Sequence, residues 1–458
     1  MDKKKTIIFT ITIVLYMFFL TPLFQWDIKI MAIATLLIIQ ILWVGRVFPL
    51  AYSSILLILI LSFNFFSYDE VMSYVGTGIV WLLFSTFIIA NAFIKTGLAS
   101  RISLKILRLS KGSGSLLIFI SFILMFVLTI FIPSNIGKSS LVASVLDGIS
   151  NSLQKVSDVS NLSKALFIGI SYVGAISCAF VATGASSTIY VYGMLQSIST
   201  EVTYLSWMFL FGPPIFIYII LLWLILTVYF PPGKIDRSSI IQLIDERLVE
   251  LGKVQVGEKK MIAIISLTLL LWITQSWHGF SIPLVGMLGA ALTISPLIGV
   301  WDWKEASEKV NWNIMIFFAA TLMISDLLIK TGTVGWLVDG LSTRMENLSS
   351  YLVLLLLVIS IALIRVVFVN VLGFLTIIIP VAIAIGENIP EINTLVVVMA
   401  VFLAGVPGFF LVTQSPVHLI SYSFNHFTDR ELLRIGFPSA IAWLVVVFLS
   451  VFYWQLVI

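Results

Sequence analysis

The sequence predicts an all-α polytopic membrane protein of about eleven transmembrane helices and two re-entrant hairpins, arranged as an inverted repeat. Three observations carry this. The 458 residues are 60% hydrophobic and 10% charged, with a mean hydropathy of +1.12, far outside the range of soluble domains. Apolar runs of the roughly 20 residues needed to span a bilayer recur from end to end. Two of these runs are broken in the middle by polar residues, at positions that share one repeat offset. A barrel would need short alternating strands instead.

The N-terminus, "MDKKKTIIFTITIVLYMFFL", resembles a signal peptide, but its apolar run continues to Phe24 without a small-residue cleavage site. It therefore reads as a retained first span. Spans are expected at 7–25, 29–46, 49–66, 77–95, 163–197, 203–230, 258–277, 281–300, 310–330, 393–424 and 436–458. Residues 1–66 form N-terminal scaffold helices, 67–230 a first repeat, 231–257 a cytoplasmic linker and 258–458 a second repeat. The interrupted stretches 115–150 and 349–386 are the hairpins, and 163–197 and 393–424 the broken helices.

With the N-terminus in the cytoplasm, the basic residues concentrate on one side. Of the 26 Lys and Arg, Lys29, Lys330 and Arg344 fall outside, and Lys138 and Arg365 lie within the hairpins. The remainder are cytoplasmic, which is a strong positive-inside signature. The net charge of +4 is thus a topology signal and does not point to nucleic acid. The one cysteine, Cys178, lies in an apolar run, so neither a disulfide nor a cysteine metal site is expected.

"IKTG" occurs at 94–97 and again at 329–332, an offset of 235 residues that also carries Asn135 onto Asn370. The first copy precedes a basic segment and the second a nearly neutral one, as opposite orientations require. Inverted repeats with helices broken at corresponding places point to a secondary transporter with its site at the repeat interface. In "FIPSNIGKSS" (131–140), Pro133 and Gly137 bracket Ser134 and Asn135, so the economical reading is a hairpin tip. Irregular backbone at membrane depth survives only where protein or a water-filled cavity satisfies it. Helix starts meeting there would suit an anion, and the asparagine amide offers both donors and an acceptor. The "GKSS" in this stretch is not a phosphate loop, because Ile132 stands where that motif needs glycine. Two further breaks, "VATGASSTIYVYG" (181–193) and "LVTQSPVHLISYS" (411–423), align Thr183 on Thr413; a small-residue packing face is the alternative.

These residues resemble the divalent anion:sodium symporter family, which has a Ser-Asn-Thr tip in each hairpin and a Thr-Pro-Pro-Asn-like break in the following helix. The resemblance runs through "IKTGLASRISLKIL", "PSNIGKSSLVASVLDGI", "TYLSWMFLFGPPI", "NVLGFLTIIIPVAIAIGENI" and "LLRIGFPSAI". It implies an elevator-type permease, a homodimer in the cell membrane, that moves a dicarboxylate, citrate or sulfate. It further implies sodium ions flanking the substrate, with Ser134, Asn135 and Gly184 as a sodium site, and Ser134, Asn135, Asn370, Thr183, Thr413 and Pro416 around the substrate. The departures are specific. Ile136 stands where the first tip would carry threonine, Val369 and Val371 flank Asn370, and Pro416 is nearly alone among the break prolines.

Arg365, five residues before Asn370, falls at a position the family uses for sodium. Lys138 lies three residues past Asn135. An ionisable group in hydrocarbon is a functional hypothesis by default, and snorkelling to the interface is the alternative. As ion-replacing charges, the two would favour sodium-independent exchange; sodium- or proton-coupled symport is the competing expectation. Asp326, four residues before Lys330, reads as a structural ion pair. Asp147 reads as a solvated group at the hairpin mouth, and His418 as packing or a substrate contact. His278 and His426 fall in loops. With no catalytic triad or metal-ligand cluster in the sequence, an enzyme is not expected.

Overall fold

A computed structural model describes residues 3–45, 48–132, 134–155, 157–199, 202–233, 235–345, 348–368, 370–389 and 391–458. Pro133 and Val369, both used above in reading the tips, lie outside the described residues, as does the side chain of Arg344. The described residues are helical throughout, with no strand among them.

The chain opens with α1 (Lys3–Phe19), α2 (Ile28–Gly45), α3 (Leu50–Asn64) and the short α4 (Tyr68–Ser73). There follow α5 (Gly78–Lys95), α6 (Leu98–Arg108), α7 (Gly114–Phe131), α8 (Asn135–Leu153), α9 (Ser160–Ile176) with a 3-10 turn at Ser177–Phe180, α10 (Ser186–Ile198) and α11 (Tyr204–Tyr229). Between the repeated sets lie α12 (Arg237–Glu250), α13 (Val256–Ile273), α14 (Gln275–His278), α15 (Ile282–Ile294) and α16 (Trp303–Lys309). The order of α5–α11 then recurs. It appears as α17 (Trp312–Lys330), α18 (Thr333–Met345), α19 (Ser350–Ile364), α20 (Val371–Glu387) and α21 (Thr394–Gly405). A 3-10 turn at Val412–Gln414, α22 (Pro416–Tyr422) and α23 (Asp429–Val457) complete it.

Each "IKTG" ends a long apolar helix. Gly97 and Gly332 adopt φ of +82° and +68°, the left-handed conformation that closes a helix C-terminus and that glycine adopts without strain. Seven stretches are long and apolar enough to cross a membrane: 28–45, 68–95, 114–131, 160–180, 204–229, 312–330 and 429–457. Shorter apolar helices account for the other expected spans except 258–277, where α13 (Val256–Ile273) starts on the charged run Glu258, Lys259 and Lys260. Two expected spans are shortened by proline. The span expected at 7–25 is helical only to Phe19, ahead of Pro22. The span expected at 281–300 ends at Ile294, with Ser295 extended before Pro296 (ψ 130°), because the pyrrolidine ring disfavours helix in the preceding residue. Conversely, α23 begins at Asp429, seven residues before the expected start, because Thr428 and Glu431 form a capping box.

The two recurring sets interlock. The second hairpin arm of each packs on the outgoing half of the other's broken helix, α8 against α22 and α20 against α10. At the centre, α9 is buried over almost its whole surface. Gly174 lets it approach: a Cβ there would stand 2.7 Å from Ser139 Oγ on α8 and 2.8 Å from Val417 on α22. On the linker side, α12 packs on α6 and α8. Arg101 of α6, itself buried, donates to Gly252 O (2.9 Å) and Leu251 O (3.1 Å) just past the end of α12, and to Glu258 (2.6 Å) at the start of α13. Cations are favourable at such carbonyl-rich helix ends.

Candidate functional site

Four helix starts meet at one cavity of about 300 Å³, lined by Ser134, Asn135 and Ile136 from α8, Ala185, Ser186 and Ser187 from α10, Asn370, Val371 and Leu372 from α20, and Ser415, Pro416 and Val417 from α22. Three of the four starts are capped by their own side chains. Ser134 Oγ accepts from the Gly137 amide (3.1 Å), and Asn370 Oδ1 accepts from Leu372 (3.0 Å) and Gly373 (3.4 Å). Ser415 Oγ accepts from Val417 (3.2 Å), with Pro416 as the first helical residue. The fourth, at α10, begins at Ala185, which has no side chain to cap with. Its first amides are left as donors without an intrahelical partner. The opposite wall is apolar and comes from α3, α5 and α17, with Leu50, Leu83, Phe87, Ile314 and Phe317. No charged residue is among the described residues of the lining. The cavity therefore offers N–H groups, hydroxyls, amides and four converging positive dipole ends, which is chemistry for an anion.

The two buried cations stand behind the tips rather than in the cavity. Lys138, fully buried, donates from Nζ to Thr129 Oγ1 at the end of α7 and to Ser177 Oγ (2.8 Å) in the 3-10 turn after α9. Arg365, 1% exposed, is held by backbone carbonyls: Nε by Gly405 (3.0 Å) at the end of α21, one terminal nitrogen by Gln414 (3.2 Å), the other by Phe368. Neither reaches the surface, and among the described residues neither pairs with a carboxylate. Helix starts thus face the cavity, while the ends of α7, α19 and α21 face the cations.

Of the residues singled out from sequence, Ser134, Asn135, Asn370 and Pro416 line the cavity. Thr183 does not. It is buried at a separate small void and shares a hydrogen bond with Tyr204 (3.4 Å), because the turn at 181–185 presents its later residues to the cavity. Gly184 packs on the Cys178 carbonyl, where a Cβ would come within 2.1 Å. Thr413 is exposed on the 3-10 turn, and Ser415, two residues on, takes the cavity position. Ser415 carried a sequence signal, since a serine directly before proline marks a helix start. The apolar wall carried none.

The remaining candidates are structural ties. Asp326 pairs with Lys330 (2.8 Å), and Lys330 also with Glu70 (2.8 Å). His426 bonds Asp147 (2.7 Å), joining the α22–α23 loop to α8. His418 is buried against Tyr172, with Nδ1 3.1 Å from Leu411 O. His278 lies in the short α14.

Two interlocked helical sets with a shared cavity at their broken ends define a membrane transporter. The chain belongs to the sodium:sulfate symporter family, whose transmembrane-region model matches residues 2–458. This is the family the tip and break motifs resembled. A sodium-dependent dicarboxylate transporter, SdcS, of Staphylococcus saprophyticus is 23% identical over 457 residues, 93% of this chain and 86% of that protein. An L-tartrate/succinate antiporter of Escherichia coli (strain K12) is 25% identical over 398 residues, 84% of this chain and 80% of the relative. The crystal structure of the Alcanivorax borkumensis YdaH transporter superposes with a TM-score of 0.53 at 12% identity, covering 99% of this chain and 96% of that one, which is a likeness of fold.

Proposed function

We propose that the protein exchanges small carboxylate anions across the cell membrane without sodium, using Lys138 and Arg365 as built-in cations. The observation that carries this reading is the placement of those charges, each directly behind a tip that lines the cavity and each held by neutral oxygens. A bound dianion compensates both. In the empty protein they stand uncompensated, and carrying a buried unpaired charge across is costly. The loaded body then crosses quickly and the empty one slowly, which is how an exchanger behaves. The relative named as an antiporter is consistent with this mode, and both named relatives take carboxylates.

In this reading Ser134, Asn135, Asn370, Ser415 and Pro416, with Ser186 and Ser187, surround the anion. The hairpins and broken helices move as one body against α1–α3, α5 and α17. The protein is a homodimer with its N-terminus in the cytoplasm, so cysteines introduced at 155–160 label from the cytoplasm and those at 387–391 from outside. A second reading, sodium symport, has one observation in its favour: Asn135 Oδ1 is buried without a hydrogen-bond donor among the described residues, an acceptor suited to a cation. Ser134 and Gly184 are the other residues the resemblance puts at that ion.

Counterflow in proteoliposomes with labelled succinate, citrate and sulfate, with and without sodium, separates the two. Exchange predicts uptake that is independent of sodium and strongly stimulated by preloaded anion, and Arg365→Thr reduces it and introduces sodium dependence. Strict sodium dependence without a preloading effect rejects exchange in favour of symport.

A further inference from the structure

The two built-in cations sit in cradles of different chemistry. Arg365 is surrounded by carbonyls, of Gly405, Gln414 and Phe368. Carbonyls only accept hydrogen bonds, and a guanidinium does not deprotonate in proteins. That charge is permanent. Lys138 is surrounded by hydroxyls, which both donate and accept. Ser177 Oγ accepts from Lys138 (2.8 Å) and from Thr129 Oγ1 (3.2 Å), and among the described residues its own proton goes to no other acceptor. The same cradle therefore serves both protonation states of the amine. An ammonium donates to Ser177 and Thr129, and a neutral amine accepts the Ser177 hydroxyl proton.

Among the described residues no carboxylate bonds Lys138, and Asp147, the other titratable residue of α8, is bonded to His426. Cys178 is the titratable group that faces Lys138 from the turn after α9. On α9, Tyr172 is bonded to Phe409 O and Leu432 O, and Lys164 to Glu431. α7 carries no titratable residue. On α22, His418 bonds Leu411 O. On α6 and α12, Arg101 is paired with Glu258 and Arg108 with Asp245, and Arg247 bonds Glu250.

We propose that Lys138 adjusts the charge of the site to that of its cargo, so that exchange of a dianion for a monoanion carries one proton with the dianion. This rests on the exchange reading above. When a monoanion occupies the cavity, Arg365 alone balances it, and one N–H bond of Lys138 breaks, its proton passing to water on the side to which the cavity is open. When a dianion enters, Nζ takes a proton from that side and both cations balance the cargo. Dianion plus proton inward against monoanion outward moves no net charge.

The test uses the full-length protein in proteoliposomes containing a trapped pH-sensitive dye, with succinate as the dianion probe and pyruvate as the monoanion probe. Succinate-for-succinate exchange is expected to leave the internal pH unchanged. Succinate entering against internal pyruvate is expected to bring in one proton per succinate, at a rate insensitive to an imposed potassium–valinomycin potential. In Lys138→Arg, the proton-to-succinate ratio falls to zero and the remaining heteroexchange becomes voltage-sensitive. Lys138→Met favours pyruvate over succinate by tenfold or more. Voltage-sensitive succinate–pyruvate exchange without proton movement in the unaltered protein overturns the role of Lys138 and leaves exchange standing. Absence of succinate exchange altogether overturns both.

Discussion

The two hairpin tips occupy equivalent places in the repeat, and each presents an asparagine, but the asparagines have different work. At the first tip, Ser134 caps α8, so the Asn135 side chain is not spent as a cap, and its Oδ1 is buried with no hydrogen-bond donor among the described residues. At the second there is no such serine, and Asn370 is itself the cap, its Oδ1 committed to two α20 amides. The repeat offset therefore aligns residues without aligning roles. The same holds behind the tips, where hydroxyls hold Lys138 and carbonyls hold Arg365.

Substitutions at five positions put that comparison at risk, and the largest effect is expected at the cations. Arg365→Met leaves three carbonyls without their donor, costing about 3 kcal/mol or more at roughly 1–3 kcal/mol for each orphaned acceptor. Lys138→Met leaves Thr129 and Ser177 able to bond each other (3.2 Å), so its cost is about 1 kcal/mol. Thermal melts of the purified variants measure both, and equal losses erase the distinction between the cradles. Next comes Asn135→Ala, which on the proposed reading removes a contact to the anion; at about 1.5–3 kcal/mol, succinate affinity in exchange falls roughly 10- to 100-fold while the melting temperature holds. Asn370→Ala loses about 1 kcal/mol of helix capping as well as transport, and Asn370→Ser restores the melting temperature because serine is an equally good cap. If Asn135→Ser recovers as fully as Asn370→Ser, the asparagines share one role after all. The smallest effect belongs to Thr183→Val. It loses a long hydrogen bond to Tyr204 outside the cavity, and exchange stays within about twofold of the unaltered protein.

The pattern of what could be read in advance follows from the solvent. In hydrocarbon, a polar residue must be explained, so Ser134, Asn135, Lys138, Arg365 and Asn370 stood out in the sequence, and so did both helix breaks. Within a break the same logic loses its direction. A hydroxyl can face the cavity or the neighbouring helix, and Thr183 and Thr413 face elsewhere while Ser187 and Ser415 face in. Leu50, Phe87 and Phe317 were illegible for the opposite reason, since an apolar residue that walls a cavity looks like one that meets lipid. The helix limits at Phe19 and Ile294 were legible in Pro22 and Pro296, which outweigh a hydropathy run.

The grip of Arg101 on the turn after α12 bears on how the chain is assembled. Because α12 is packed on α6 and α8 and its far end is tied by that side chain, the polypeptide up to about residue 253 carries its connector as part of its own surface. A ribosome that has made the first set of helices has also made the piece that closes their linker-side end, before α17 exists. Two separately translated fragments, divided in the exposed stretch after Lys253, have the interlocking surfaces of α8 with α22 and α10 with α20 by which to find one another in the bilayer.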